Sequence, residues 1–146
     1  ERGVSAVPTN YAVSRTIEAD PEKVWALLAD ASSWKEWNPT IVSLEGTIAV
    51  GSKVKLVSTV NPKRAFKLTV TEMDAPRNMT WADGMPLGLF KGVRTYALTS
   101  TDGGTVFTME ETYSGLLEPL ISKSIPDMSQ SFEDFADGLK QAAEAA

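Results

Sequence analysis

The sequence predicts an α+β fold in which a curved, seven-stranded antiparallel sheet, in the order β-α-α-β6-α, wraps around one long C-terminal helix. Three observations carry this. From Thr40 to Gly115 apolar and polar residues alternate almost throughout, which is the period of half-buried strands. Toward the C-terminus the apolar spacing changes to three and four, the period of an amphipathic helix. Within the alternating region, Asp102-Gly103 separates two regular runs, and such a dipeptide is the strongest short-range hairpin signal.

Taken in order, Tyr11, Val13, Arg15 and Ile17 alternate with Ala12, Ser14, Thr16 and Glu18 as a first strand. Asp20 as N-cap, with Pro21 at the first helical position, opens a helix whose apolar stripe is Val24, Leu27 and Leu28 around Trp25. Ser33 and Glu36 have capping-box spacing for a second, short helix, which Pro39 ends because the residue before a proline avoids helical angles. Six strands follow, separated by turn signals at 46–51, Asn61-Pro62, 74–76, 83–88 and Asp102-Gly103. Their alternating apolar residues include Val42 and Leu44, Val54 and Leu56, and Phe66, Leu68 and Val70, followed by Met79 and Trp81. The last two strands carry Phe90, Tyr96 and Leu98, then Phe107, Met109 and Tyr113. Short connections imply an antiparallel meander. In the final segment Ile121, Ile125, Met128, Phe132, Phe135, Leu139 and Ala142 form a stripe with a restart at Pro126. Its straight part, Asp127 to Ala145, would be about 28 Å long, enough to cross a sheet. Residues 1–10 read as a flexible N-terminal segment and 11–146 as one domain.

Counting outward from Asp102-Gly103 pairs Leu98 with Phe107, Tyr96 with Met109, Arg94 with Glu111 and Gly92 with Tyr113, all on one face. One cation and one anion therefore oppose each other on an otherwise apolar face, where lone charges are not tolerated. Such a pair suggests a cavity with a polar spot.

Composition narrows the function. At 146 residues, 42% hydrophobic and 23% charged, the chain can bury a core without disulfides or metals. A net charge of -5 with scattered Lys and Arg argues against nucleic acid or an anionic membrane surface as the main partner. With no cysteine and no histidine, thiol nucleophiles, serine triads and the commonest metal ligands are excluded. Asp127, Glu133, Asp134 and Asp137 lack the spacing of a calcium loop and read as the solvated face of the last helix. No metal and no cofactor is expected. No run reaches the roughly 20 apolar residues of a membrane span, so integral membrane association is not expected. The expected location is cytoplasmic. Secretion or a periplasmic location stays open because the chain does not start with Met. The oligomeric state is open between monomer and homodimer.

The run Ile17-Glu18-Ala19-Asp20-Pro21-Glu22-Lys23-Val24-Trp25, then Trp34, Trp37-Asn38-Pro39, Gly46 and Gly51, resembles the SRPBCC or START-like (Bet v 1-like) superfamily. Trp81, Gly92, Gly103-Gly104-Thr105, Glu111-Thr112-Tyr113-Ser114-Gly115, Leu139-Lys140 and Glu144 extend the likeness over nearly the whole chain. It is most similar to the bacterial polyketide cyclase/dehydrase and lipid-transport-like branch. The resemblance implies a helix-grip fold with a cavity between the sheet and the last helix, used for lipids, polyketides and other apolar ligands. It does not imply one activity.

The expected ligand-binding residues are Trp37, Phe66, Trp81, Phe90, Arg94 and Tyr96 from the first part of the cavity wall. Met109, Glu111 and Tyr113 on the last strand, and Met128, Phe132 and Phe135 on the last helix, complete them. Trp37 and Asn38 are expected at the rim, and 83–89 has the composition of a movable lid or a passive loop. Arg94 and Glu111 read either as a structural ion pair or as an anchor for a carbonyl, carboxylate or hydroxyl. Binding of an apolar molecule is the leading function. A cyclase or dehydratase using Glu111 as acid or base, Arg94 and a Tyr is the alternative, although the guanidinium favours a charged Glu111 and so makes it a poor acid. A chaperone-activator-like interaction module is the third reading.

Overall fold

The computed structural model describes residues 10–145. Strand β1 (Asn10–Ile17) leads into helix α1 (Pro21–Leu28), a 3-10 turn at Ala31–Ser33 and the short helix α2 (Trp34–Trp37). Strands β2 (Ile41–Glu45), β3 (Lys53–Ser58), β4 (Asn61–Asp74), β5 (Asn78–Met85), β6 (Phe90–Thr101) and β7 (Gly104–Ser114) follow. Helix α3 (Glu118–Ile121), a 3-10 turn at Ser122–Ser124 and helix α4 (Ser129–Ala145) complete the described chain. All seven strands form one antiparallel sheet in the order β1-β7-β6-β5-β4-β3-β2, so the first strand lies beside the last. This is the expected α+β, helix-grip architecture. Of the segment expected to be flexible, all but Asn10 lies outside the described residues.

Several boundaries differ from the sequence expectation, each for a local reason. The β3–β4 connection is made by Thr59 and Val60, and Asn61 already pairs with Ser58. Strand β5 continues through Asp83 to Met85 because Gly92, Lys91 and Phe90 pair with those residues, leaving only 86–89 as the tip instead of an 83–89 lid. A register shift between Ile41 and Ser43 interrupts the alternation of β2 and turns Val42 outward, where it is 45% exposed. Ser33 does occupy the N-cap position of α2, but its hydroxyl makes no capping bond and donates to the carbonyls of Leu27 and Asp30. The last helix begins at Ser129, whose N–H donates to the carboxylate of Asp127 at 2.9 Å. Ile121 and Ile125 accordingly fall outside α4, in α3 and the connection after it. Two of the acids assigned to a solvated helix face, Glu133 and Asp137, stay about half exposed and also clasp Arg15 of β1.

Helix α4 packs mainly on β1, with further contacts to β7, α1 and α2. Its side chains reach further, with Phe132 over Arg94 and Phe135 against Tyr96, both on β6. One glycine makes the close approach possible: a Cβ on Gly138 would stand 2.2 Å from the carbonyl oxygen of Trp37 and 3.0 Å from Cδ of Pro39. The core between α2, α4 and the sheet is aromatic. Trp34 stacks on Trp81 at 5.2 Å between centroids, and Phe135 meets Trp34, Trp37, Tyr96 and Phe107 at 5.2–6.0 Å. Offset and edge-on pairs of this kind add about 0.5–1.5 kcal/mol each beyond their buried area.

Candidate functional site

The Asp102-Gly103 turn sets the register of the site. Gly103 takes φ +87°, which glycine adopts without penalty, and from there β6 and β7 pair without interruption from Thr101–Gly104 to Lys91–Ser114. Arg94 therefore lies opposite Glu111, Tyr96 opposite Met109 and Gly92 opposite Tyr113. The adjoining strands extend that row: Tyr11 of β1 pairs with Glu111, and Trp81 of β5 with Arg94. Across the concave face the row reads Tyr11, Glu111, Arg94, Trp81.

At its centre Arg94 Nε donates to Glu111 Oε1 at 2.8 Å, and the Tyr113 hydroxyl donates to Glu111 Oε2. Phe132 of α4 covers the guanidinium, with Cζ 5.0 Å from the ring centroid, a cation–π arrangement. The terminal nitrogens of Arg94 meet no acceptor among the described residues. The Tyr96 hydroxyl is near enough for it and the guanidinium to influence each other's ionisation, and it is buried without a hydrogen bond of ordinary geometry among the described residues. The indole N–H of Trp81 is likewise buried and unpartnered. Orphaned buried polar atoms cost about 1–3 kcal/mol each.

The pair is deep but not sealed. Burial opposes the Arg94 cation, yet Glu111 and Tyr96 outweigh it, so the guanidinium holds its proton more firmly than an ordinary arginine. Burial also pushes Tyr96 up to about 12, against the pull of Arg94. Tyr113 is raised as well, by burial first and then by the charge of Glu111. Both phenols are therefore neutral at ordinary pH. Even so, 15% of the Arg94 side chain and 16% of Glu111 remain accessible.

The other sequence-predicted residues fall into four sets. Phe90 stacks on Tyr113 at 5.9 Å, and Tyr11 bridges Tyr113 and Phe132 at 6.4 and 5.7 Å, which brings these aromatics around the ion pair. Half-buried Met128 precedes α4 one turn before Phe132. Trp81, Tyr96, Met109 and Phe135 are fully buried and form the floor beneath. Trp37, expected at the rim, is buried instead: its ring packs on Trp34 and Phe135, and its N–H donates to Ser33 Oγ at 3.1 Å. Asn38 is also inside, its carbonyl oxygen accepting from the N–H and hydroxyl of Thr40. Phe66 stands apart on β4, beneath the guanidinium of Arg64.

Two residues on this face escaped the sequence reading. Tyr11 could be placed only by the β1–β7 pairing, which has no local signal. Asp83 sits in register with Gly92 and, by strand alternation, on the same face as Trp81. It is partly buried, and its carboxylate accepts from the N–H of Gly84. Extending the parity of Trp81 by two residues would have found it. A separate outer groove lined by Asp20, Pro21, Arg77 and Ser100 contains none of the expected residues.

Residues 8–144 match the family described as polyketide cyclase / dehydrase and lipid transport. The chain belongs to that family. Solved structures share the fold. Protein MLL2253 from Mesorhizobium loti has a TM-score of 0.72 at 19% identity, covering 94% of this chain and 98% of its own. Protein CV1439 from Chromobacterium violaceum gives 0.71 at 18%, with coverages of 94% and 98%. The Aha1 dimer from Colwellia psychrerythraea gives 0.70 at 19%, with coverages of 94% and 97%. At such identities the likeness is one of fold. A comparison with curated proteins gave no match. No helix among the described residues is long and apolar enough to cross a membrane, and no cluster of acids there could hold a metal ion.

Proposed function

We propose that this protein binds a small, largely apolar molecule of lipid, polyketide or aromatic type between the concave sheet and α4, with the polar end of the molecule at Arg94. The observation that carries this reading is the state of Arg94: desolvated, bonded to Glu111 through Nε alone, and with accessible surface left on both side chains. A pair retained for structure alone would offset its desolvation by engaging more than one of the five guanidinium N–H groups. Phe90, Tyr113, Tyr11, Phe132 and Met128 provide an apolar, polarisable surround suited to an irregular guest. Membership of a family that includes lipid transport supports the same reading.

The arrangement favours binding over proton transfer. The proton of Tyr113 is already held by Glu111, and the suppressed ionisation of both tyrosines makes them weak acids. The test is native mass spectrometry of protein purified from its source, together with quenching of tryptophan fluorescence by a lipid and polyketide panel. A co-purifying apolar species, or saturable quenching of Trp81 that Arg94→Met weakens while the protein stays folded, is expected. Absence of both a retained species and quenching by every panel member would falsify the proposal.

A further inference from the structure

Charge is divided unevenly along this chain. Between Glu45 and Glu72 lie five of its 14 Lys and Arg, namely Lys53, Lys55, Lys63, Arg64 and Lys67, and none of its 19 Asp and Glu. A protein of net charge -5 therefore consists of a segment at +5 and a remainder at -10. The segment covers β3 and most of β4. Buried Val54 and Val70 mark its inner face, so alternation turns Lys53 and Lys55 of β3, and Lys63 and Lys67 of β4, to the outer one. All five cations are exposed, and none joins an ion pair among the described residues. Lys55 and Lys67 are directly opposed in the register, an arrangement that costs stability, with Glu45 on the other side of Lys55. Lys53 is level with Thr69, so at the rise of an antiparallel strand the row from Lys53 to Lys63 is about 20 Å long. The Lys and Arg that read as scattered along the chain are, on this face, gathered.

The fold leaves this row open. The helices make their main contacts with β1, β2, β6 and β7. Pairing of β4 with β5 stops at Thr69–Ala82, although β4 runs on to Asn61 and β5 to Met85, so the outer ribbon is held from the β3 side alone. The acids of α4 sit over β1, four strand spacings from β4; that is about 19 Å along the sheet, beyond the roughly 10 Å over which exposed charges act in 0.1 M salt.

The side chains select the partner. Between the lysines the outer face carries Val57, Ala65 and Thr69, with no aromatic, Met or Arg. A protein-binding patch is enriched in such residues and poor in Lys, and a groove for single-stranded nucleic acid needs aromatic rings on which bases stack. Point charges in a row of small side chains suit a surface of mobile anions, which asks for no shape match. We infer that the outer face of the β3–β4 ribbon docks on an anionic phospholipid surface, with the acidic remainder of the molecule turned away from it. This docking is independent of what the cavity holds.

Flotation of the whole protein with vesicles of equal parts phosphatidylcholine and phosphatidylglycerol, against phosphatidylcholine alone, tests this. Binding is expected only to the anionic vesicles, and it should disappear between about 0.05 and 0.5 M salt. At about fivefold per cation, Lys55→Gln with Lys67→Gln should weaken binding about 25-fold. Lys53→Gln with Lys63→Gln should do the same, and decides the matter should the first pair fail to fold. Lys35→Gln with Lys123→Gln changes the net charge equally, away from the ribbon, and should alter binding less than about threefold. No binding to anionic vesicles, equal binding to neutral ones, or the same loss in all three pairs of variants overturns the inference. Tighter binding to a DNA duplex or to polyglutamate than to the anionic vesicles also overturns it, in favour of nucleic acid or an acidic protein.

Discussion

Replacing Arg94 by methionine would strand the Glu111 carboxylate in the interior. Removing one member of a buried ion pair costs about 3–5 kcal/mol, chiefly because the survivor keeps its desolvation without its partner. Two features place this site at the lower end: Glu111 retains the hydroxyl of Tyr113, and 16% of its side chain still reaches accessible space. The methionine keeps an apolar stem against Phe132 but loses the cation–π contact. The expected loss is about 3 kcal/mol, which a domain of 5–15 kcal/mol total stability survives folded. With a urea dependence of about 2 kcal/mol/M, the unfolding midpoint should fall by about 1.5 M. Adding Glu111→Gln removes the stranded charge, and the double variant should return to within about 1 kcal/mol of wild type. Equilibrium urea unfolding followed by tryptophan fluorescence measures all four corners of this cycle. A single variant losing less than about 1 kcal/mol, or a double variant as unstable as the sum of the singles, would refute the claim that the two charges share one desolvated site.

Gly138→Ala should destabilise the protein, although alanine in an ordinary helix gains about 1 kcal/mol over glycine, because its Cβ would meet the Trp37 carbonyl at 2.2 Å; thermal unfolding reads the sign directly. Phe135→Ala should cost about 3–5 kcal/mol, since it opens a cavity against four aromatic neighbours, and chemical denaturation measures it. Tyr96, raised from 10.0 to about 12, favours the fold most when neutral. Its contribution is thus whole below pH 10 and is lost as the pH rises toward 12; an ultraviolet titration should show a phenolate step near pH 12 that Tyr96→Phe abolishes. The Glu18 N–H, followed by Lys140, holds the carboxyl of Glu144 below its ordinary value of 4.5, so its stabilisation is present above that pH and fades as the pH falls. The protection factor of the Glu18 amide, with the intrinsic pH dependence of exchange divided out, should fall on acidification in the wild type and stay constant in Glu144→Gln.

The central pairing was legible because period two propagates without error from a recognised turn. Once Asp102-Gly103 is placed, Arg94 must face Glu111, and nothing between them introduces a bulge. The same reasoning failed where an extra residue enters the count, as at Val42 after the β2 bulge. Asp83 was hidden for a different reason. Its neighbours Gly84, Pro86 and Gly88 suggest a loop, yet β6 supplies backbone partners as far as Met85, and tertiary pairing overrides local composition. Trp37 followed a similar course: its short helix and the proline after it suggested a rim, but α4 closes over it through Gly138. Helix length was readable from periodicity, whereas the part of the sheet it would cover depends on distant contacts of β1 that no local pattern encodes.

An open sheet has two outer strands, and free strand borders invite stacking with other chains. Here β1 is guarded by charge: Arg15 Nη1 donates to the Ser14 carbonyl, Lys140 Nζ to the Thr16 carbonyl, and the Glu18 N–H is taken by Glu144. At the far side β2 has five residues and an irregular register, too short and too bent to template an additional strand. The molecule therefore offers little backbone on which fibrils could grow.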